Sequence, residues 1–190
     1  MFDISQHIAK PNQTHPIWAG EILALPAVAR FFDAWKKAKG SKRLPSPKDL
    51  PPEKLIFCMP DITVTEYLGP EHIRYRLVGT GVISRLGFNP TDKNMYDLTP
   101  AQHHPMIKEV YSAILAAPAA LVSLTSNTLS SGIIRQVSSL HLPMINHDGE
   151  ANRILNLHIP EDPQGYPTYQ GPRDVTEISS EIKNFLLLPF

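Results

Sequence analysis

Two segments in which apolar and polar residues alternate predict a β-hairpin in the first half of the chain. Residues 61–68 and residues 71–79 show this alternation and flank a Gly-Pro turn. In the second segment the alternating apolar residues are Ile73, Tyr75 and Leu77. A period of two places these side chains on one face of a strand, and we expect that face to point toward the core.

The opposite face of the second strand carries two cations. Arg74 and Arg76 alternate with the apolar residues and should emerge on that face. They either form an ion-pairing patch that fixes a dimer or captures an acidic partner, or lie on a solvated strand face. The strand ends at Gly79, where we expect a backbone torsion or a close approach that excludes a side chain.

An amphipathic helix is predicted from about Ile22 to Lys39, where apolar residues recur at intervals of three and four. Its stripe consists of Leu25, Val28, Phe32 and Trp35. Such a stripe packs either on its own domain or on the same helix of a second subunit, and spacing alone does not separate the two. We expect a homodimer with Phe32 and Trp35 in its interface.

The middle of the chain predicts a second long helix and three more strands. Residues 80–98 are typical of short helical turns and loop. The helix begins at Thr99-Pro100 and ends before Pro118. The strands cover roughly residues 119–129, 133–145 and 151–160, and an Asp-Gly pair marks the last hairpin.

The C-terminal residues predict a further amphipathic helix. Asp174 can cap it. Its stripe consists of Val175, Ile178, Ile182, Phe185 and Pro189, with Leu186 beside it. A helix this short is marginal in isolation, so we expect it to dock within the assembly.

This order of elements predicts an α+β fold. We expect one five-stranded antiparallel sheet with helices on one face, plus flanking helices at both ends. The chain then divides into an irregular lead-in at residues 1–20, a domain at residues 21–160 that includes the leading helix, and residues 161–190, a proline-rich tether with the C-terminal helix.

Charge and cysteine content narrow the functional classes. Lys and Arg number 18, as do Asp and Glu, so no net field draws the protein to nucleic acid or to an anionic membrane. The single cysteine, Cys58, permits neither an internal disulfide nor a multi-cysteine metal site. Neither a secretory signal nor an apolar run of roughly 20 residues is visible, so we expect a cytoplasmic protein.

Two histidine pairs are the first candidates for chemistry. His103 and His104 are adjacent in a predicted helix, where neighbouring side chains point about 100° apart, so they are poor joint ligands and we predict no metal site. His141 and His158 lie in two strands that can pair. They are either partly exposed strand residues or polar, pH-sensitive groups of a pocket. No hydrolase elbow, phosphate loop or dinucleotide fingerprint occurs, so we predict no catalytic residue.

Several short motifs carry a resemblance to a known family. They are Arg74-Tyr-Arg-Leu-Val-Gly-Thr80, Trp35 with Gly40, Leu44-Pro45, Leu98-Thr-Pro100, and Leu142-Pro-Met144 with Asp148-Gly149. With them, the region from about Leu25 to Pro160 resembles a PAS domain, in particular the stand-alone proteobacterial PAS subfamily once filed as a domain of unknown function. The resemblance implies a sensory or interaction fold that can enclose a cavity, without inherent catalytic chemistry. It does not support haem, because the axial histidine of haem-binding relatives falls near Ile107.

We therefore expect a non-catalytic PAS module for signal transduction that binds a small ligand and relays its state through dimerisation or a signalling protein partner. The ligand-binding residues expected from large side chains on strand and helix faces are Tyr75, Leu77, Tyr96, Met106, Tyr111 and His141. One alternative is a ligand-free interaction adaptor with a filled core, and another is a small-molecule enzyme. The sequence identifies no particular cofactor or ligand.

Overall fold

The computed structural model describes residues 4–8, 16–129, 134–161 and 178–190. Within these ranges the α-helices are α1 (Ile17–Ala24), α2 (Pro26–Lys39), α3 (Thr80–Leu86) and α4 (His104–Ala116). The 3-10 segments are Ile4–His7, Pro52–Lys54, Ile56–Asp61, Met95–Leu98 and Ala101–His103. None of the helices in the described ranges combines the length and apolarity needed to cross a membrane. Half of the predicted lead-in and nearly all of the predicted tether lie outside the described residues.

Six antiparallel strands form one sheet in the order β2-β1-β5-β4-β3-β6. The strands are β1 (Ile62–Gly69), β2 (His72–Val78), β3 (Ala119–Leu129), β4 (Ile134–Ile145), β5 (Ala151–Pro160) and β6 (Ile178–Pro189). The predicted α+β fold is confirmed, and the three strands predicted in the second half of the chain are present with nearly their predicted bounds.

The C-terminal segment is a strand from Ile178 onward, and the helix predicted there is wrong. β6 pairs with β3, with one extra residue in β6 between the partners of Leu124 and Thr125. This bulge brings Ile182 and Phe185, three residues apart, to the same wall of the protein. A bulged strand therefore reproduced the spacing of a helix. The proposed cap Asp174 lies outside the described residues.

The predicted leading helix is in fact two helices. Leu25 separates α1 from α2 in an extended conformation, because the residue before a proline avoids the helical region. Pro26 then opens α2, where its missing N–H costs no hydrogen bond.

Helices α1 and α2 cover one face of the sheet, which we call the outer face. Val28, Phe31 and Trp35 of α2 are fully buried there against the sheet. The indole Nε1 of Trp35 donates a hydrogen bond to the Pro143 carbonyl oxygen at 3.1 Å. Trp35 is thus a core residue of its own domain, and its predicted place in a subunit interface is wrong. Phe32 is half-buried at the edge of the same core.

Helix α4 covers the other face of the sheet, which we call the inner face. Its buried residues Ile107, Val110 and Ile114 pack in a second core together with Ile154 and Phe185 of the sheet. The sheet therefore separates two cores. The candidate site lies on the inner side.

Gly79 ends β2 where the chain passes close to a neighbouring segment. Its amide donates to the Ile62 carbonyl oxygen at 2.8 Å. A side chain at this position would overlap the backbone carbonyls of Met59 and Pro60. Its φ of −69° suits any residue, so the close approach requires glycine.

We expect Gly79→Ala to lower the free energy of unfolding by on the order of 1 to 3 kcal/mol, because the two segments must move apart. The control is Gly20→Ala at an exposed position of α1, where an added Cβ meets no atom within 4 Å. That variant should be neutral or slightly stabilising. Urea unfolding measures both, and equal midpoints would contradict the role assigned to Gly79.

Candidate functional site

A cavity of about 300 Å³ lies between the inner face of the sheet and the helices. The helical side of its wall is apolar and includes Val82, Met106, Ile107 and Val110. The sheet side carries polar groups from β1, β3, β4 and β5. Protein interiors are normally packed without such voids, so this space is the first candidate for a binding site.

His141 is held in the sheet wall by hydrogen bonds at both ring nitrogens. Its Nδ1 lies 2.8 Å from Asn156 Oδ1, and its Nε2 lies 2.9 Å from Ser123 Oγ. The Asn156 amide nitrogen faces the carbonyl oxygens of Thr63 and Ile154, which can accept a hydrogen bond but cannot donate one. Asn156 Oδ1 must therefore accept from His141 Nδ1–H, which leaves Nε2 to accept from the Ser123 hydroxyl.

The second imidazole, His158, is held in the same way. Its Nε2 lies 3.0 Å from Thr63 Oγ1, and its Nδ1 lies 2.9 Å from Ser139 Oγ. The rings of His158 and His141 approach edge to face, with centroids 6.0 Å apart. The predicted proximity of the two histidines is present in the structure.

Asn156 joins these contacts into one network. Its Nδ2 donates to Thr63 Oγ1 at 3.0 Å and lies 3.4 Å from Thr65 Oγ1. Thr65 in turn bonds to the Tyr111 hydroxyl at 2.9 Å. The network thus spans four strands and reaches helix α4.

Burial keeps both imidazoles neutral. Burial lowers the pKa of His141 to about 4, against the opposing effect of its hydrogen bond to Asn156. Burial also lowers the pKa of His158 to about 3, assisted by the nearby His141 and Arg85. Since every bond described above can be made by neutral partners, the sheet wall is polar without being charged.

Ser123, His141 and Asn156 are connected like a nucleophile, a base and an orienting group. Proton transfer to His141 would nevertheless place an imidazolium against a neutral amide, and a base with a pKa of about 4 is weak near neutral pH. Strand β3 is also paired on both sides, so the backbone around Ser123 is committed to the sheet rather than to an oxyanion. The arrangement suits hydrogen bonding better than acyl transfer.

The comparisons with known proteins assign the fold. A family model described as a PAS domain matches residues 23–159, which is most of the chain. The chain belongs to the PAS domain family. It is therefore a domain of the sensory and signalling class, as its sequence motifs suggested.

Other comparisons add little beyond this PAS domain assignment. A search of the curated proteins returned no significant match. Among solved structures 16 chains match. One is from work titled "Flavin Analogue Sheds Light on Light-Oxygen-Voltage Domain Mechanism", with a TM-score of 0.44 and 10% identity over 58% of this chain and 83% of that chain.

Four of the six predicted ligand-binding residues line the cavity of this PAS domain. They are Tyr75, Met106, Tyr111 and His141. Burial raises the pKa of Tyr75 to about 12, so its phenol stays neutral. Their contact with a ligand stays a prediction.

Leu77 and Tyr96 do not line the cavity. The ladder between β1 and β2 contains an extra residue, Arg76, so that Tyr75 lies opposite Thr65 while Leu77 lies opposite Val64. Leu77 is consequently on the outer face and 38% exposed. Tyr96 borders a separate pocket and its ring packs edge to face with His104. Placing these two residues in the cavity was wrong.

The two predicted interface arginines lie around a buried carboxylate. Arg74 forms an ion pair with Glu66, Arg153 Nη2 lies 3.3 Å from Glu66 Oε1, and Arg76 Nη1 lies 3.9 Å from Glu66 Oε2. Burial opposes the ionisation of Glu66, but hydrogen bonds from Arg74 and Arg153 hold its pKa below the ordinary value. Three guanidinium groups around one carboxylate leave net positive charge, so an acidic partner for Arg74 and Arg76 stays a prediction.

Sequence reasoning missed most of the polar wall. Asn156, Ser123, Ser139 and Thr63 were not singled out, although all but Ser139 lie between two apolar residues of their strand. Cys58 packs in the outer core away from the cavity, as a small buried side chain, and burial raises the pKa of its thiol to about 11.

Proposed function

We propose that this PAS domain senses a small molecule by binding it in the inner cavity, without chemical conversion. The observation that carries the proposal is the cavity of about 300 Å³, walled by an apolar helix on one side and by a neutral hydrogen-bonded network on the other. This volume lies at the lower end of ligand pockets. A few placed polar groups in an apolar enclosure are what fixes the orientation of a small ligand.

The proposed absence of catalysis follows from the same network. The described wall contains His103, whose Nε2 makes no hydrogen bond to a hydroxyl or thiol that it could activate. The other bases of the wall are His141 and His158, and burial keeps both neutral. Neither imidazole is paired with a carboxylate that would stabilise its charged form. Binding is therefore the activity that the site supports best.

We further propose that occupancy is relayed through β6 to the outer face. Ile182 and Phe185 of this strand line the cavity. At the end of the same strand, Phe190 stacks on Trp35 of α2 with ring centroids 4.7 Å apart. A shift of β6 would therefore move the contact between Phe190 and Trp35. This contact lies beside the half-exposed Phe32, which a partner protein or a second copy of the chain can reach.

A fragment screen tests the binding proposal. We expect saturation-transfer NMR to detect several small uncharged fragments bound to the wild-type protein. Val110→Phe, which adds bulk on the cavity wall, should abolish the signals. Ile17→Phe is the matched control, because Ile17 is 81% exposed and its substitution leaves the cavity unchanged. A wild-type protein that binds none of the fragments would favour the ligand-free adaptor.

A further inference from the structure

We propose that the cavity selects uncharged molecules with an apolar body and one hydrogen-bonding group, and that His103 Nε2 receives this group. This inference rests on the proposed ligand-binding function, and it names the class of ligand. It follows from the charges in the cavity wall and from one unpartnered nitrogen.

The cavity wall offers no free charge. Among the lining residues within the described ranges, Arg85 alone carries a formal charge at neutral pH. Its Nη1 lies 2.5 Å from Asp61 Oδ1, and its Nη2 lies 3.5 Å from the His158 carbonyl oxygen. Arg85 is 12% exposed, so this ion pair is largely shielded from water. A carboxylate ligand would have to compete with Asp61, and an ammonium ligand would find no carboxylate in the described wall.

The two imidazoles of the sheet wall do not change this charge inventory. Both ring nitrogens of His141 and of His158 are already hydrogen-bonded to side chains of the sheet. An anionic ligand could gain a positive charge from these two imidazoles only by protonating one of them, against the burial that lowers the pKa of both. Moving a charged ligand from water into such a wall is unfavourable without compensation.

His103 carries the one nitrogen of the described cavity wall that is buried without a hydrogen-bond partner. It lies just before α4 and lines the cavity. Its Nε2 is removed from solvent and makes no hydrogen bond within the described part of the protein. The neighbouring His104 points elsewhere and bonds to the Thr99 carbonyl oxygen at 2.9 Å. A buried nitrogen without a partner costs roughly 1 to 3 kcal/mol. A turn of the ring that brings Nε2 to the cavity surface would let a ligand hydroxyl or amide remove this cost.

The surroundings of His103 determine the rest of the ligand. Met106, Ile107 and Val110 follow it along α4 and present an apolar surface to the cavity. A ligand whose polar group meets His103 would therefore place an apolar body, such as an aromatic ring, along this helix.

Three probes of nearly equal size distinguish the effect of ligand charge on binding from the effect of ligand shape. Phenylacetamide, phenylacetate and phenethylammonium share the same ring and differ in the charge of the end group. By isothermal titration or NMR, we expect the amide to bind at least about tenfold more tightly than either ion, which corresponds to about 1.4 kcal/mol. Equal or tighter binding of one of the ions would overturn the inferred ligand class and leave cavity binding intact. Failure of all three, together with a negative fragment screen, would instead contradict the proposed function.

Variants at His103 test its role. His103→Leu should weaken binding of phenylacetamide by about three- to tenfold, the loss of one hydrogen bond. His103→Gln keeps a hydrogen-bonding group and should retain more affinity than His103→Leu. His72→Leu, on the exposed start of β2, is the control and should bind as the wild type does. Unchanged affinity in both His103 variants would overturn the assignment of this residue.

Discussion

Trp35→Ala should lower the free energy of unfolding by about 3 to 5 kcal/mol, as expected when a large aromatic side chain is removed from a core. The side chain is fully buried between α2 and the outer face of the sheet, and its ring stacks on Phe190. The substitution also leaves the Pro143 carbonyl without its indole donor. Urea unfolding measures the loss.

The control for this variant lies on the same helix. Phe32→Ala removes a half-buried ring and should cost clearly less than Trp35→Ala. Light scattering should give the same mass for the folded wild type and for the folded fraction of Trp35→Ala. A Trp35→Ala protein that is a stable monomer while the wild type is a dimer would show that the stripe packs on another subunit.

Acid should destabilise the protein well before its carboxylates are protonated. His141 and His158 have a pKa of about 4 and about 3 in the folded protein. An unfolded histidine has a pKa of about 6.5, so between about pH 6.5 and about pH 4 the unfolded chain binds protons that the folded chain does not. Stability then falls with falling pH, by up to about 1.4 kcal/mol per pH unit for each histidine. Above about pH 6.5 both states are neutral at these sites and the effect vanishes.

Substitution can assign the pH dependence of the unfolding free energy to individual histidines. Wild-type unfolding energies measured in steps from neutral to acid pH should fall by up to about 2.7 kcal/mol per unit from the two histidines together. His158→Asn should remove about half of this slope, whatever it does to stability at neutral pH. A wild-type energy that is flat from about pH 6.5 to about pH 5 would mean that the imidazoles are not buried as neutral groups.

The strands of the second half could be predicted because their apolar pattern and turn residues agree. A two-residue turn at Asp148-Gly149 predicts His141 opposite Asn156 and Ser139 opposite His158. The structure has both pairs, although its turn is centred on Asp148 and one extra residue, Asn152, restores this register. The polar wall could therefore have been predicted from the register of one hairpin.

The wrong predictions for Leu77 and for the C-terminal segment share a physical cause. A bulge at Arg76 moves Leu77 to the outer face, and a bulge at Lys183 brings Ile182 and Phe185 to the same wall. Regular alternation with a period of two cannot predict the bulge at Arg76. The bulge at Lys183 produces a three-residue spacing that resembles the spacing of a helix. The unpartnered Nε2 of His103 depends on packing between distant segments, so no local pattern could have predicted it.

The central claim is that the inner cavity binds the ligand, and methyl NMR tests it most directly. In a titration with phenylacetamide, we expect shifts in the methyl signals of Ile107, Val110 and Ile114, which line the cavity. The methyl signals of Val28 and Leu142, in the outer core, should stay in place or move far less. Saturable shifts confined to the outer core would contradict binding in the inner cavity. So would cavity methyls that do not shift at the highest soluble concentration of phenylacetamide or of any fragment in the screen.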